Sequence, residues 1–205
     1  MKDFNRLINI ALYLSIFTIV YNVIEGIISL YFGYQDETLA LFGFGVDSFV
    51  EVFSGFGILN MILLTKKNGN KNHFEKNALR ITAVSFYVLS FGLIITSIIN
   101  MYNYHSPLTT QWGIVISIIS LAIMWLLIYK KKQVGYELKS DAIIADANCN
   151  KVCMQLSLVL LLSSLSYSIF NIGYFDSLGA MLIAYLSFKE GREAYMKSKN
   201  QKACC

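Results

Sequence analysis

Gly43-Phe44-Gly45-Val46-Asp47-Ser48-Phe49-Val50-Glu51-Val52-Phe53 sets two carboxylates inside an apolar run that extends over residues 38–65 and closes on Lys66-Lys67. A helix of about 20 apolar residues crosses the hydrocarbon core of a bilayer, so the run is long enough to span one. A charged side chain at mid-bilayer costs at least about 2.5–3.5 kcal/mol on insertion scales, so it turns inward and marks a pathway or a polar contact. The stretch therefore predicts a membrane helix with an acidic face directed at other helices.

Five further runs share its character, at 6–33, 79–102, 111–130, 139–165 and 174–196. They are separated by Gly33-Tyr34-Gln35-Asp36-Glu37, by the basic stretch Lys66 to Asn77, by Asn103-Tyr104-His105-Ser106-Pro107, by Lys130-Lys131-Lys132 and by Asn171-Ile172-Gly173. The chain's only proline, Pro107, ends any helix at the third break. Only 15% of the 205 residues are charged and 56% are hydrophobic. A soluble domain carries about a quarter charged residues. The expected fold class is all-α, an integral membrane bundle of six transmembrane helices occupying residues 1–197, with 198–205 as a short cytoplasmic tail.

Lysine and arginine set the orientation. They cluster at Lys2 and Arg6, between the second and third runs (Lys66, Lys67, Lys71, Lys76, Arg80), after the fourth (Lys130, Lys131, Lys132, Lys139) and at the end (Lys189, Arg192, Lys197, Lys199, Lys202). Short cytoplasmic loops carry the excess of basic residues, so this alternation puts both termini in the cytoplasm. The net charge of +4 is used up by topology and gives no reason to expect nucleic acid. Lys2 and Arg6 precede the first run without a small-residue cleavage pattern, which predicts a retained signal anchor. The four cysteines form no secreted disulfide framework and are expected as reduced thiols.

Charges recur where the bilayer should exclude them: Glu25 in the first run, Asp47 and Glu51 in the second, and Asp141, Asp146 and Lys151 in the fifth. Asp47 and Glu51 are four residues apart, as are Cys149 and Cys153, so each pair shares one helix face. Counted from the run ends, Asp47 lies ~13 Å below the outer surface and Cys149 ~15 Å above the inner one. In antiparallel helices Asp47 should then level with Cys153, and Glu51 with Cys149. Two carboxylates and two thiolates can close a tetrahedron around zinc, and thiolates prefer such soft ions to magnesium or calcium.

Blander readings compete at each residue. Two cysteines at that spacing are, taken alone, small packing residues, as are Gly43, Gly45, Gly55 and Gly57. The agreement in depth of both pairs is what favours a metal site of Asp47, Glu51, Cys149 and Cys153. Lys151 points away from the cysteine face and is read as a counter-ion for Glu25 or another acid. His73 and His105 read as solvated loop residues, with His73 an alternative collector of metal. Cys204 and Cys205 read as a frayed tail, a metal relay or a lipid attachment point.

At these residues the sequence resembles the transmembrane domain of the cation diffusion facilitators. That family's second-helix pattern is similar to Asp47-Ser48-Phe49-Val50-Glu51. Its fifth-helix pattern is similar to Ala145-Asp146 followed by Cys149 and Cys153, with cysteines where the family has a histidine and an aspartate. Asp176 looks like the aspartate that opens its sixth helix. The resemblance implies a homodimeric, proton-coupled exporter of divalent metal cations in the cell (plasma) membrane, not an enzyme and without an organic cofactor. Zn2+ is the expected ion, with Cd2+ or another soft divalent as alternatives, and the partners implied are metal, protons and membrane lipid. After residue 197 too little chain remains for the family's usual cytoplasmic metal-binding domain. Two other classes stay open on the residues alone. One is a membrane thiol-disulfide oxidoreductase using Cys149 and Cys153; the other is a non-transporting metal-binding sensor.

Overall fold

The computed structural model describes residues 2–66, 72–103, 106–138 and 141–200. They form six helices: α1 (Lys2–Gln35), α2 (Leu39–Lys66), α3 (Asn72–Tyr102), α4 (Gln111–Glu137), α5 (Asp141–Phe170) and α6 (Tyr174–Asn200). Five carry a stretch long and apolar enough to cross a membrane. The sixth falls short because its inner half holds Lys189, Glu190, Arg192, Glu193, Lys197 and Lys199, while Tyr174 to Phe188 is apolar apart from Asp176 and small hydroxyls. Long basic side chains there reach the interface along their own stems. The six-helix membrane bundle expected from the sequence is the fold.

The helices pack as three antiparallel pairs, α1 on α2, α3 on α6 and α4 on α5. Two pairs are hairpins; α3 and α6 meet across the bundle. The central apolar cluster unites Leu41 and Phe44 of α2, Leu89 and Leu93 of α3, Ile116 of α4, Leu156 and Leu160 of α5, and Ile183 of α6. Without a hydrophobic drive between helices in lipid, close approach depends on small residues. A Cβ on Gly33 would lie 2.6 Å from the Phe42 backbone nitrogen, and one on Gly45 would lie 2.8 Å from that of Leu30. These two glycines bring the α1 and α2 backbones together.

Helix ends fall where local chemistry stops them. Glu37 (φ 55°) and Asn171 (φ 54°) adopt the left-handed conformation. Around them Thr38 N–H bonds to Gly33 O and Asn171 N–H to Tyr167 O, which closes the last turns of α1 and α5. The outer face is then laced by cross-helix bonds. The Thr38 hydroxyl donates to Thr109 O (3.1 Å), and the Thr110 hydroxyl to Ser164 O (2.9 Å). Leu108 N–H reaches Asp36 O at 2.9 Å, and the Tyr167 hydroxyl bonds to Pro107 O. Asp176 receives the first free N–H groups of α2, Leu39 at 2.7 Å and Ala40 at 3.2 Å.

Three expectations about the helices are corrected. The basic stretch from Lys66 does not separate α2 from α3 as far as Asn77, because α3 already begins at Asn72. Nor do Lys130-Lys131-Lys132 close α4, which runs on to Glu137. Val134 is buried there, and Gly135 packs directly under Ile144 of α5. Tertiary packing thus extends the helix beyond its apolar run. Finally, α5 ends at Phe170, five residues beyond the expected outer limit of 165.

Candidate metal site

Asp47 is fully buried on α2, and Ser187 of α6 donates a hydrogen bond to it at 3.3 Å. One turn inward, Glu51 keeps some accessible surface and accepts from Asn22 Nδ2 of α1 at 3.0 Å. Cys153 of α5 is completely buried and hydrogen-bonds to the Glu51 carboxylate. Carboxylate and thiol therefore meet across the α2–α5 interface inside the bundle. Asp47 and Glu51 are close enough to repel each other, and Glu25 of α1 repels both. Glu190 of α6 adds a further negative field on Asp47.

The pairing differs by one turn from the expected register, in which Cys153 levelled with Asp47. Depth counted from the ends of apolar runs fixes a level in the bilayer but not which turns of two packed helices meet. Cys149 lies one further turn toward the cytoplasm on the same helix. Its side chain, with those of Asp141, Asp146 and His73, is outside the described residues, as are His105, Cys204 and Cys205 altogether. Among the described residues no three His, Cys, Asp or Glu side chains converge closely enough to hold an ion between them.

Glu25 has a different neighbourhood from the one expected. Lys151, read as its counter-ion, is exposed on the outside of the bundle. It sits two residues from Cys153, which turns it roughly 200° away from the buried face. Hydroxyls serve Glu25 instead: Tyr21 donates at 2.7 Å, Ser48 lies at 3.2 Å, and Ser120 of α4 is a third partner. Ser120 in turn meets the Ser157 hydroxyl of α5 at 2.8 Å. This chain of hydroxyls ties α1, α2, α4 and α5 together beside the carboxylate–thiol contact.

The buried cation is Lys131, read from the sequence as a topological signal. It is only 1% exposed, and its Nζ donates to Asn150 Oδ1 at 3.1 Å. Asn150 Nδ2 points on to the Met124 sulfur at 3.6 Å, and Met124 packs in one cluster with Cys153. Asn22, Lys131, Asn150, Ser187 and Glu190 were all missed by reasoning from sequence. Asn22 and Glu25 share a face three residues apart in an apolar run, and that spacing was the available signal for Asn22. Nothing in the Lys130–Lys132 triplet distinguishes its middle member.

No curated protein matches the chain. Residues 12–200 match the family described as the cation efflux transmembrane domain.

Proposed function

Since a family match over residues 12–200 makes this chain a member of the cation efflux family, a membrane transporter of metal cations, we propose that it exports a soft divalent ion, zinc first, in exchange for protons. The ion binds Asp47, Glu51, Cys149 and Cys153. The observation that carries this reading is the contact between the Cys153 thiol and the Glu51 carboxylate, made within a group of mutually repelling acids. Bringing a carboxylate, a second carboxylate one turn away and a thiol to one buried interface costs free energy that a divalent cation would offset.

Each ligand must be deprotonated to hold the ion, so loading releases protons and protonation releases the ion. A set of two carboxylates and two thiolates suits zinc or cadmium better than the hard ions that prefer all-oxygen cages. Binding draws Cys149 and Asp47 toward the Glu51–Cys153 pair and so changes the packing of α2 against α5. Rocking of the helices around a midplane site then exposes the ion to the opposite side. In this reading the protein works as a homodimer in the cell membrane.

The test is metal flux in proteoliposomes with zinc, cadmium, manganese, iron and copper(I), with and without a pH gradient. Zinc and cadmium should move, faster when protons are supplied from the side that receives the metal. Asp47→Ala, Cys149→Ser and Cys153→Ser should each cut the rate at least about tenfold, the low end for losing even an outer partner of a metal ligand. Flux that survives loss of both Asp47 and Cys149 overturns the site. A thiol oxidoreductase would instead tolerate Asp47→Ala.

A further inference from the structure

Asn22 stands on α1, outside both helices that supply the four ligands above. It is 2% exposed, and its Nδ2 donates to Glu51 Oε2 at 3.0 Å. Its Oδ1 is buried and has no hydrogen-bond partner. Leaving a buried amide acceptor unpaired costs roughly 1–3 kcal/mol, so each such atom in a folded protein calls for an explanation. The hydroxyls of Ser29, Ser97 and Ser164 are also unpaired, as is one Asp36 oxygen in the outer turn. Of these atoms, only Asn22 Oδ1 belongs to a side chain bonded to the carboxylate–thiol pair.

The amide orientation follows from its neighbour. Turned the other way, the group would set its carbonyl oxygen against the Glu51 carboxylate, so the N–H2 must face Glu51 while no cation is present. The two ends of a planar amide are ~2.3 Å apart, which keeps Oδ1 within about 5 Å of Glu51 Oε2. An ion held by a carboxylate sits about 2.0–2.2 Å from its oxygen. A rotation about the last side-chain bond carries Oδ1 onto such an ion.

We propose that Asn22 is a further ligand of the transported cation, giving a neutral oxygen from α1 beside Glu51. The proposal rests on the reading that Glu51 and Cys153 hold the ion. The amide then has two jobs. Empty, its N–H2 neutralises part of the Glu51 charge; loaded, its carbonyl oxygen completes the shell, as zinc permits when it expands from four ligands to five. A neutral ligand needs no deprotonation. It therefore keeps hold of the ion while protons compete for the carboxylates and thiols, and it recruits α1 to the loaded site.

The test uses the full chain in detergent micelles, with Zn2+ and Cd2+ affinities measured by competition against a chelator and metal-free thermal stability as the folding control. Asn22→Leu should weaken Zn2+ binding by about 10–100-fold while leaving the metal-free protein folded. Asn22→Asp supplies an oxygen but no donor, so it should bind Zn2+ no more than about threefold more weakly than wild type. A residue that served only as a donor to Glu51 gives the opposite result for Asn22→Leu, because losing the donor leaves Glu51 more basic and Zn2+ bound as tightly as in wild type or more so. Asn22→Asp binding as weakly as Asn22→Leu, or Asn22→Leu binding within twofold of wild type, overturns the proposal. Glu51→Gln separates the two levels. If it weakens binding while Asn22 variants do not, Asn22 alone is excluded; if it leaves Zn2+ affinity unchanged, the Glu51 site falls and Asn22 with it. Should Asn22→Leu fail to fold, Asn22→Ala takes its place with the same expected loss of Zn2+ affinity, and unchanged affinity there overturns the proposal.

Discussion

Asp176 joins the start of α6 to the start of α2, and its removal should loosen the outer face by a predictable amount. Its two oxygens receive the Leu39 and Ala40 N–H groups at 2.7 and 3.2 Å, the role that a capping side chain normally plays from within its own helix. Ala40 is fully buried, so water cannot replace the lost acceptor there, whereas Leu39 is only partly buried. In Asp176→Ala one buried donor is stranded at roughly 1–3 kcal/mol, and the favourable charge at the α2 N-terminus, worth about 0.3–1 kcal/mol, is lost as well. The sum is about 1.3–4 kcal/mol. Asp176→Asn keeps one acceptor and loses the charge, so it should cost about 1 kcal/mol. For a chain of this length each kcal/mol lowers the melting temperature by about 2–4 °C, which gives a fall of roughly 3–16 °C for the alanine variant. The assay is thermal unfolding in detergent micelles, read by circular dichroism and by cysteine accessibility. Equal melting temperatures for wild type, Asp176→Asn and Asp176→Ala would refute the capping argument. So would an asparagine variant less stable than the alanine one.

Three other substitutions follow from the same structure. Gly33→Ala forces a Cβ against the Phe42 backbone and should cost at least about 1–3 kcal/mol, whereas Gly92→Ala meets nothing within 4 Å and should be neutral or slightly stabilising; paired melting curves read the contrast. Asn150→Leu removes one acceptor of the buried Lys131 ammonium and should cost about 1.5–3 kcal/mol, with Asn150→Leu/Lys131→Met recovering part of the loss in denaturant titrations. Burial raises the Asp36 carboxyl above the ordinary carboxylate range. A raised acid favours the folded state while it stays protonated, so stability should fall as pH climbs from the ordinary value through the raised one; Asp36→Asn should flatten that part of a melting-temperature profile and leave the more acidic part unchanged.

Six helices were legible because they depend on quantities a sequence carries directly: run length and apolar content. Asp47 and Glu51 were legible for the same reason, since a charge in a span has few places to go. What escaped was register. Cys153 was expected opposite Asp47 because depths were counted from the ends of apolar runs, and such a count does not fix which turns of two packed helices meet. The partner of Glu25 escaped for another reason. A lysine within the same span looked like its counter-ion, yet hydroxyls from three helices suffice for it, and serines carry little signal in an apolar sequence. Lys131 shows the converse, because one member of a basic triplet can turn inward once α4 continues beyond its apolar run and packs on α5.

The distribution of hydrogen bonds also says which parts of the bundle resist motion. Along the outer face, bonds from Thr38, Thr110, Tyr167, Leu108 and Asp176 join α2 and the α3–α4 connection to the ends of α5 and α6. At the carboxylate–thiol pair, by contrast, α2 meets α5 through Glu51 and Cys153, and α1 through the single Asn22 donor. On the proposed reading, a cation arriving at Glu51 competes for both of those bonds and for none of the outer ones. Loading therefore perturbs the α1–α2–α5 contacts at the site first. The outer bonds yield only if the energy released there, by neutralising three repelling acids, exceeds what the outer face loses. On the proposed reading of the site, such a carrier opens outward because it is loaded, and weakening Asp176 should let it open without its ion.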